Sequence, residues 1–369
     1  MNEAMVIGSQ VRRARESLAL SIAEAAAELG IEPSQLHAWE SGDSEPPLET
    51  LWRLAEIYQR NLDYFLTPTG EPPADIALRL ARHADIRELP LAARRVIAEF
   101  EELCRAATEL ERALGYAKEV RVARGSDAID PARLASQERH RLGLDEQPIR
   151  KLRLLLEGEG VRSFELPIPG DAFSGLSWWH QEYGPCVLVN ARDTAGRRNF
   201  TMAHEFAHLM AHDMTFVCDV DVVARRDEQF ANRFAVAFLL PATDVVRSFQ
   251  RRGLDARDIS DSQLASLSAR YSVSLEAMAR RLEELQLVVP GTTASLIAQW
   301  RLRPKRWGKS AIPKWQRRVG ERFSTAVLEA HDRGEISIGK LAEYLNLDLR
   351  KAIDVVESSR KRADVDREA

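Results

Sequence analysis

Apolar positions along this chain recur mostly at three- and four-residue steps, and only briefly in the unbroken runs that suit buried strands. The pattern predicts a mostly helical protein with a little sheet. Near the start, Val11-Arg12-Arg13-Ala14-Arg15 opens a helix, Ser21 to Gly30 holds a second, and Ile31 to Glu40 a third. Ser21 followed by Glu24 forms a capping box, Gly30 is a natural stop, and Pro46-Pro47 breaks the chain before a helix from Leu48 to Tyr58. Thr67 to Pro73 has the composition of a linker. Leu89 to Leu114 then carries an apolar stripe at Val96, Ile97, Phe100, Leu103, Cys104, Ala107, Leu110 and Leu114, which packs internally or forms a dimer seam.

Further on, Cys186-Val187-Leu188-Val189-Asn190 reads as a buried strand. A polar turn follows from Ala191 to Arg198, with Gly196 as breaker, and an apolar helix surface begins at Phe200. Asp227 to Leu240 reads as another amphipathic helix, closed by Pro241. Ser260 to Leu287 is helical, with a turn and restart near Ser272 to Glu276. Gly334 to Leu345 suggests a helix-turn-helix-like pair, and the charged tail from Ser358 frays.

Chemistry concentrates in His204-Glu205-Phe206-Ala207-His208, an H-E-x-x-H stretch. On a helix the two histidines stack one turn apart, so both imidazoles can meet one metal ion, with Glu205 beside them as a general base for hydrolysis. Zinc that keeps a position open for water takes a third protein ligand. Glu228 is the best candidate, because Asn232 lies one turn after it on the same helix face. Asn232 could accept a hydrogen bond from the other nitrogen of His204 or His208. His212, Asp213 and Asp227 are the rivals. The extended H-E-x-x-H-x-x-G-x-x-H pattern is excluded, since positions 211 and 214 hold Ala211 and Met214. His212 is also two turns from His204, too far along the axis for one tetrahedral site. His180, Tyr183, His212, Arg197 and Arg198 are conceivable partners for a tetrahedral oxyanion.

The run Asn199 to His208, with Glu228 to Ala235 and Leu239-Leu240-Pro241, resembles the ImmA/IrrE family of metallopeptidases. Asn199 stands where that family usually has arginine. The resemblance extends upstream through Arg141-Leu142-Gly143-Leu144 and Leu156 to Val161, covering roughly residues 133–290. It implies a zincin-like domain with a small sheet, one zinc ion per chain on His204, His208 and Glu228, and Glu205 as catalytic base. It further implies an endopeptidase of the H-E-x-x-H…E type, whose protein substrate is an Xre-type repressor or antitoxin, cleaved to release stress or mobile-element genes.

Residues 1–67 resemble a helix-turn-helix domain of the Xre/Cro repressor type, through Arg12, Arg15, Ala25 to Gly30, Trp39-Glu40-Ser41-Gly42 and Leu51 to Ala55. Fold alone does not settle function. The helix expected to read DNA offers Ser34, Gln35 and His37, which can hydrogen-bond base edges, but no lysine or arginine. Acidic residues outnumber basic ones across this segment, so a protein-docking or dimerisation role stands beside operator DNA. The second functional reading follows from it: a DNA-binding transcription regulator or antitoxin whose peptidase-like domain acts as a sensor.

These readings give an α+β, mostly helical organisation. A helix-turn-helix domain over 1–67 leads into a linker and amphipathic helix over 68–132, a metallopeptidase domain over 133–290, and a helical region over 291–369. In that last region Trp300 to Lys309 and Lys314 to Arg318 interleave basic side chains with tryptophan. Such a segment could grip nucleic acid or an acidic partner, though a charged face with tryptophan anchoring a helix pair is the simpler reading. Composition changes little. The 369 residues carry a net charge of −4, so the whole chain is not marked as a nucleic-acid binder. Cys104, Cys186 and Cys218 are few, odd in number and outside zinc-ligand spacing, which suits a reducing, cytoplasmic setting. No signal peptide or membrane-length apolar run is present. A homodimer is compatible with all of this.

Overall fold

The computed structural model describes residues 3–60, 62–66, 89–116, 119–124, 129–170, 172–211, 216–218, 226–254, 259–289, 291, 294 and 312–368. Five helices form the N-terminal unit: α1 (Glu3–Ser17), α2 (Ile22–Leu29), α3 (Pro33–Ser41), α4 (Leu48–Tyr58) and α5 (Leu62–Leu66). The capping box is formed, with Glu24 N donating to Ser21 Oγ and Ser21 N to Glu24 Oε2. Gly30 and Gly42 close α2 and α3 in the left-handed conformation. The first helix begins upstream of Val11, because Ala4 and Ile7 are buried in register with Val11 and Ala14. Gly8 is what lets α1 approach α3: a β-carbon there would lie 2.1 Å from Trp39 O.

The long helix α6 (Leu91–Ala113) joins this unit to the rest of the molecule. Its arginine Arg94 donates to Leu18 O at 2.8 Å, and buried Arg60 of the N-terminal unit reaches back to Ala98 O and Glu101. Two further helices follow, α7 (Pro131–Arg141) and α8 (Leu152–Gly158).

A four-stranded sheet forms the centre, from β1 (Arg162–Leu166), β2 (Gly175–His180), β3 (Gly184–Asn190) and β4 (Phe216–Cys218), in the order β1-β3-β2-β4. The first and third strands are parallel, with Phe164 opposite Leu188; the β2–β3 and β2–β4 pairs are antiparallel. Side chains alternate across the sheet as the pleat requires. Phe164, Leu166, Leu176, Trp178, Cys186 and Leu188 face one core, and Val187 and Val189 face another.

The second core is built on α9 (Ala195–Ala211), α10 (Arg226–Leu239), α11 (Ala242–Arg251), α12 (Asp261–Tyr271) and α13 (Leu275–Glu284). The first core receives α6 together with the C-terminal helices α14 (Lys314–Val319), α15 (Glu321–Asp332), α16 (Ile338–Leu345) and α17 (Leu349–Glu368). The stripe from Val96 to Leu114 is therefore buried inside the chain against the sheet and α15, and cannot serve as a dimer seam. Gly196 proves to be no breaker. It lies in the first turn of α9, where a β-carbon would meet Ser274 N and Val273 C at 2.4 Å, so its bareness allows α9 to touch the turn before α13. Of the basic, tryptophan-bearing segment, residues 300–309 lie outside the described residues. Trp315 packs on the first core and Arg318 engages Glu99 and Tyr344 O, which matches the anchoring reading for that half.

Candidate metal centre

The helix α9 leaves the sheet directly after β3 and is buried along its whole second half, from Thr201 to Ala211. Opposite it, α10 packs through aromatic rings: Phe206 lies 6.2 Å from Phe234 and 5.9 Å from Phe238, centroid to centroid. Those contacts fix how far apart the two helices stand, and so how Glu228 meets the histidines.

His204 and His208 are both wholly buried, and Glu228 is 6% exposed. Their ligating atoms converge. His204 Nε2 lies 3.1 Å from His208 Nε2 and 3.1 Å from Glu228 Oε2, while His208 Nε2 lies 3.8 Å from Glu228 Oε1. Two ligands bound to zinc at 2.0–2.1 Å with a tetrahedral angle stand about 3.3 Å apart, so these separations fit one ion. Among the described residues this is the group of three or more that could hold a metal.

The protonation pattern sharpens the point. His204 Nδ1 is 3.0 Å from Asn232 Oδ1, and an amide oxygen can only accept. In the neutral imidazole this places the proton on Nδ1 and leaves the Nε2 lone pair, 3.1 Å from Glu228 Oε2, free to bind a metal ion. Donor set, spacing and orientation all suit a divalent metal with nitrogen and oxygen ligands, as zinc prefers.

Glu205 is buried on a different flank of α9, against the first residue of β2. A β-carbon on Gly175 would meet Glu205 Oε1 and Thr201 Cγ2 at 2.5 Å, so that glycine makes the room in which the carboxylate sits. No pattern in the sequence marks this contact, because Gly175 lies in a separate element.

The rival and auxiliary residues fall elsewhere. His212 and Asp213 lie outside the described residues. Asp227 is in the first turn of α10 but is not in the converging group. His180 stacks on Tyr183 at 4.0 Å and on Trp178 at 4.7 Å, and both rings belong to the core on the far face of the sheet. Neither His180 nor Tyr183 is placed to meet an oxyanion beside His204. Arg198 pairs with Glu165 at 2.9 Å, and Arg197 reaches Ser174 Oγ at 3.2 Å.

In the N-terminal unit Ser34, Gln35 and His37 are all exposed on α3. The cations around them are largely engaged: Arg15 forms a buried two-point pair with Glu40 at 2.7 and 2.9 Å, and Arg53 donates to Leu29 O. Arg60 is buried against Glu101, and exposed Arg12 pairs with Glu16 at 2.9 Å.

Comparison with known families accords with both halves. Residues 156–283 match the IrrE N-terminal-like domain, and residues 11–65 match the helix-turn-helix family. No curated protein shows a match to the chain. The chain thus joins an Xre-like helix-turn-helix domain to a domain of a metallopeptidase-like family. No helix among the described residues is long and apolar enough to cross a membrane.

Proposed function

We propose that this chain, with a helix-turn-helix domain ahead of an IrrE N-terminal-like domain, is a zinc-dependent endopeptidase. Its substrate is an Xre-type repressor or antitoxin, and its setting is the cytoplasm. The observation that carries the reading is the convergence of His204, His208 and Glu228, with Asn232 Oδ1 3.0 Å from His204 Nδ1. These three side chains would hold the ion. When bound, zinc supplies Lewis acidity, polarising the scissile carbonyl and making water acidic enough to lose a proton near neutral pH.

The chain's own residues do the rest. Glu205 takes a proton from the attacking water as its oxygen bonds to the carbonyl carbon and the C=O π bond opens, and later gives that proton to the amine nitrogen as the C=O re-forms and the peptide C–N bond breaks. The helix-turn-helix domain brings the enzyme to the repressor or to its operator. If it meets DNA, Ser34, Gln35 and His37 are the exposed groups that would touch base edges.

The test is Glu205→Gln, an isosteric change that removes the base but no metal ligand. Metal analysis and cleavage of purified Xre-type repressors are measured together. The variant should keep one zinc per chain and lose cleavage by a factor on the order of 10²–10⁴. Undiminished cleavage would remove Glu205 as the base. A wild type that binds zinc yet cleaves no such repressor would favour the sensor reading instead.

A further inference from the structure

Away from the metal centre, the C-terminal end of α11, one face of α12 and Arg150, two residues before α8, line an open cleft of about 400 Å³ together with Ser272: its lining is Arg150, Arg252, Ser266, Ala269, Arg270 and Ser272. Half of that lining is arginine. Arg270 is paired with Asp244 at 3.3 Å, and Tyr271 donates to the same carboxylate at 2.7 Å. Nearby Glu146 is taken by Arg247 at 3.0 Å. Among the described residues, Arg150 and Arg252 have no carboxylate partner, and Arg252 merely donates to Ser266 Oγ at 2.7 Å.

We infer that this cleft binds a phosphoryl group. Two unneutralised guanidinium groups match the charge of a phosphate, about −1.5 to −2 at neutral pH. Their planar forks suit two-point contact with its oxygens. The hydroxyls of Ser266 and Ser272 can donate to the same group. The cleft is also tied to the metal-bearing helix, because Asn199 Nδ2 of α9 donates to Ser272 O at 2.8 Å. That link uses the position where the resembled family usually carries arginine. The phosphoryl group can belong to a small phosphorylated ligand or to a nucleic-acid backbone; the recognising chemistry is the same.

The experiment uses the full chain, with calorimetry for inorganic phosphate and AMP and fluorescence anisotropy for a labelled duplex DNA. Arg150→Ala and Arg252→Ala, both at exposed positions, are compared with the wild type. We expect saturable, salt-sensitive binding that weakens about tenfold or more in either variant. AMP binding with a silent duplex assigns a small ligand, and duplex binding lost in the same variants assigns a nucleic-acid backbone. Absence of saturable binding by all three probes, or binding untouched by both substitutions, overturns the inference. Because the readout is binding, it is independent of whether the metal centre hydrolyses peptides.

Discussion

Asn232→Ala isolates the part played by the residue behind the metal ligands. The change removes the oxygen that accepts from His204 Nδ1, 3.0 Å away, while leaving His204, His208 and Glu228 in place. His204 can then place its proton on Nε2, the nitrogen needed for the ion. Loss of such a supporting hydrogen bond costs roughly 10–100-fold in metal affinity, or about 1.4–2.7 kcal/mol. The structure selects the lower part of that range. His204 is wholly buried, but Asn232 is only half-buried, so water can enter the space its amide leaves and offer a replacement acceptor. We expect a loss nearer tenfold than a hundredfold. The assay is competition for zinc against a chelator of known affinity, with the thermal midpoint of the metal-free protein as a control for folding. Asn232→Asp keeps an acceptor and should bind zinc at least as tightly as the wild type. Equal affinities in Asn232→Ala and wild type, or equal weakening in both variants, would refute the tautomer argument.

Three other outcomes follow from the same structure. Gly175→Ala forces a β-carbon to within 2.5 Å of Glu205 Oε1, so cleavage should fall at least about 10²-fold while zinc stoichiometry holds; wild-type cleavage would show that Glu205 is not confined there. Glu40→Gln leaves the Arg15 charge buried without its counter-ion, and urea unfolding should show a loss of about 3 kcal/mol; a change below measurement error would mean that solvent reaches Arg15. Burial raises the hydroxyl pKa of Tyr58, Tyr64, Tyr271 and Tyr344 above the ordinary value of 10.0. Their contribution to stability is complete below that value and is lost as pH rises through the higher folded values. Absorbance at the tyrosinate band should therefore lag behind that of the urea-unfolded chain, and coincident titrations would contradict the burial.

The metal centre was legible because most of its geometry is local. A four-residue step on one helix aligns His204 with His208, and the same step on another aligns Glu228 with Asn232; helical periodicity supplies both pairs without any knowledge of the fold. What periodicity cannot supply is the distance between the two helices. That is fixed by Phe206 against Phe234 and Phe238, residues whose apolar character was plain but whose partners were not. The same limit explains Gly196 and Gly175. A glycine in isolation reads as a breaker, yet each is present because a segment distant in sequence presses against it, Val273 and Ser274 in one case and Glu205 in the other.

Strand β1 shows the converse failure. Arg162, Ser163 and Glu165 hide it from any search for apolar runs, and they are tolerated in a buried strand because ion pairs meet the two charged residues from far along the chain and Glu157 and Arg153 hydrogen-bond the Ser163 hydroxyl. Arg162 is paired with Glu111 of α6, and Glu165 with Arg198 at the start of α9. Those pairs link β1 to the C-terminal end of α6 and to the N-terminal end of α9. Arg162 ties the sheet to the helix that docks the N-terminal unit, and Arg198 ties it to the helix that carries His204. Each carboxylate is shared with a second arginine, Glu111 with Arg322 at 2.8 Å and Glu165 with Arg153 at 3.7 Å, so the pairs form a network rather than isolated contacts. Residues that obscure the strand in the sequence are thus the ones that connect the helix-turn-helix domain, through α6 and the sheet, to the metal centre.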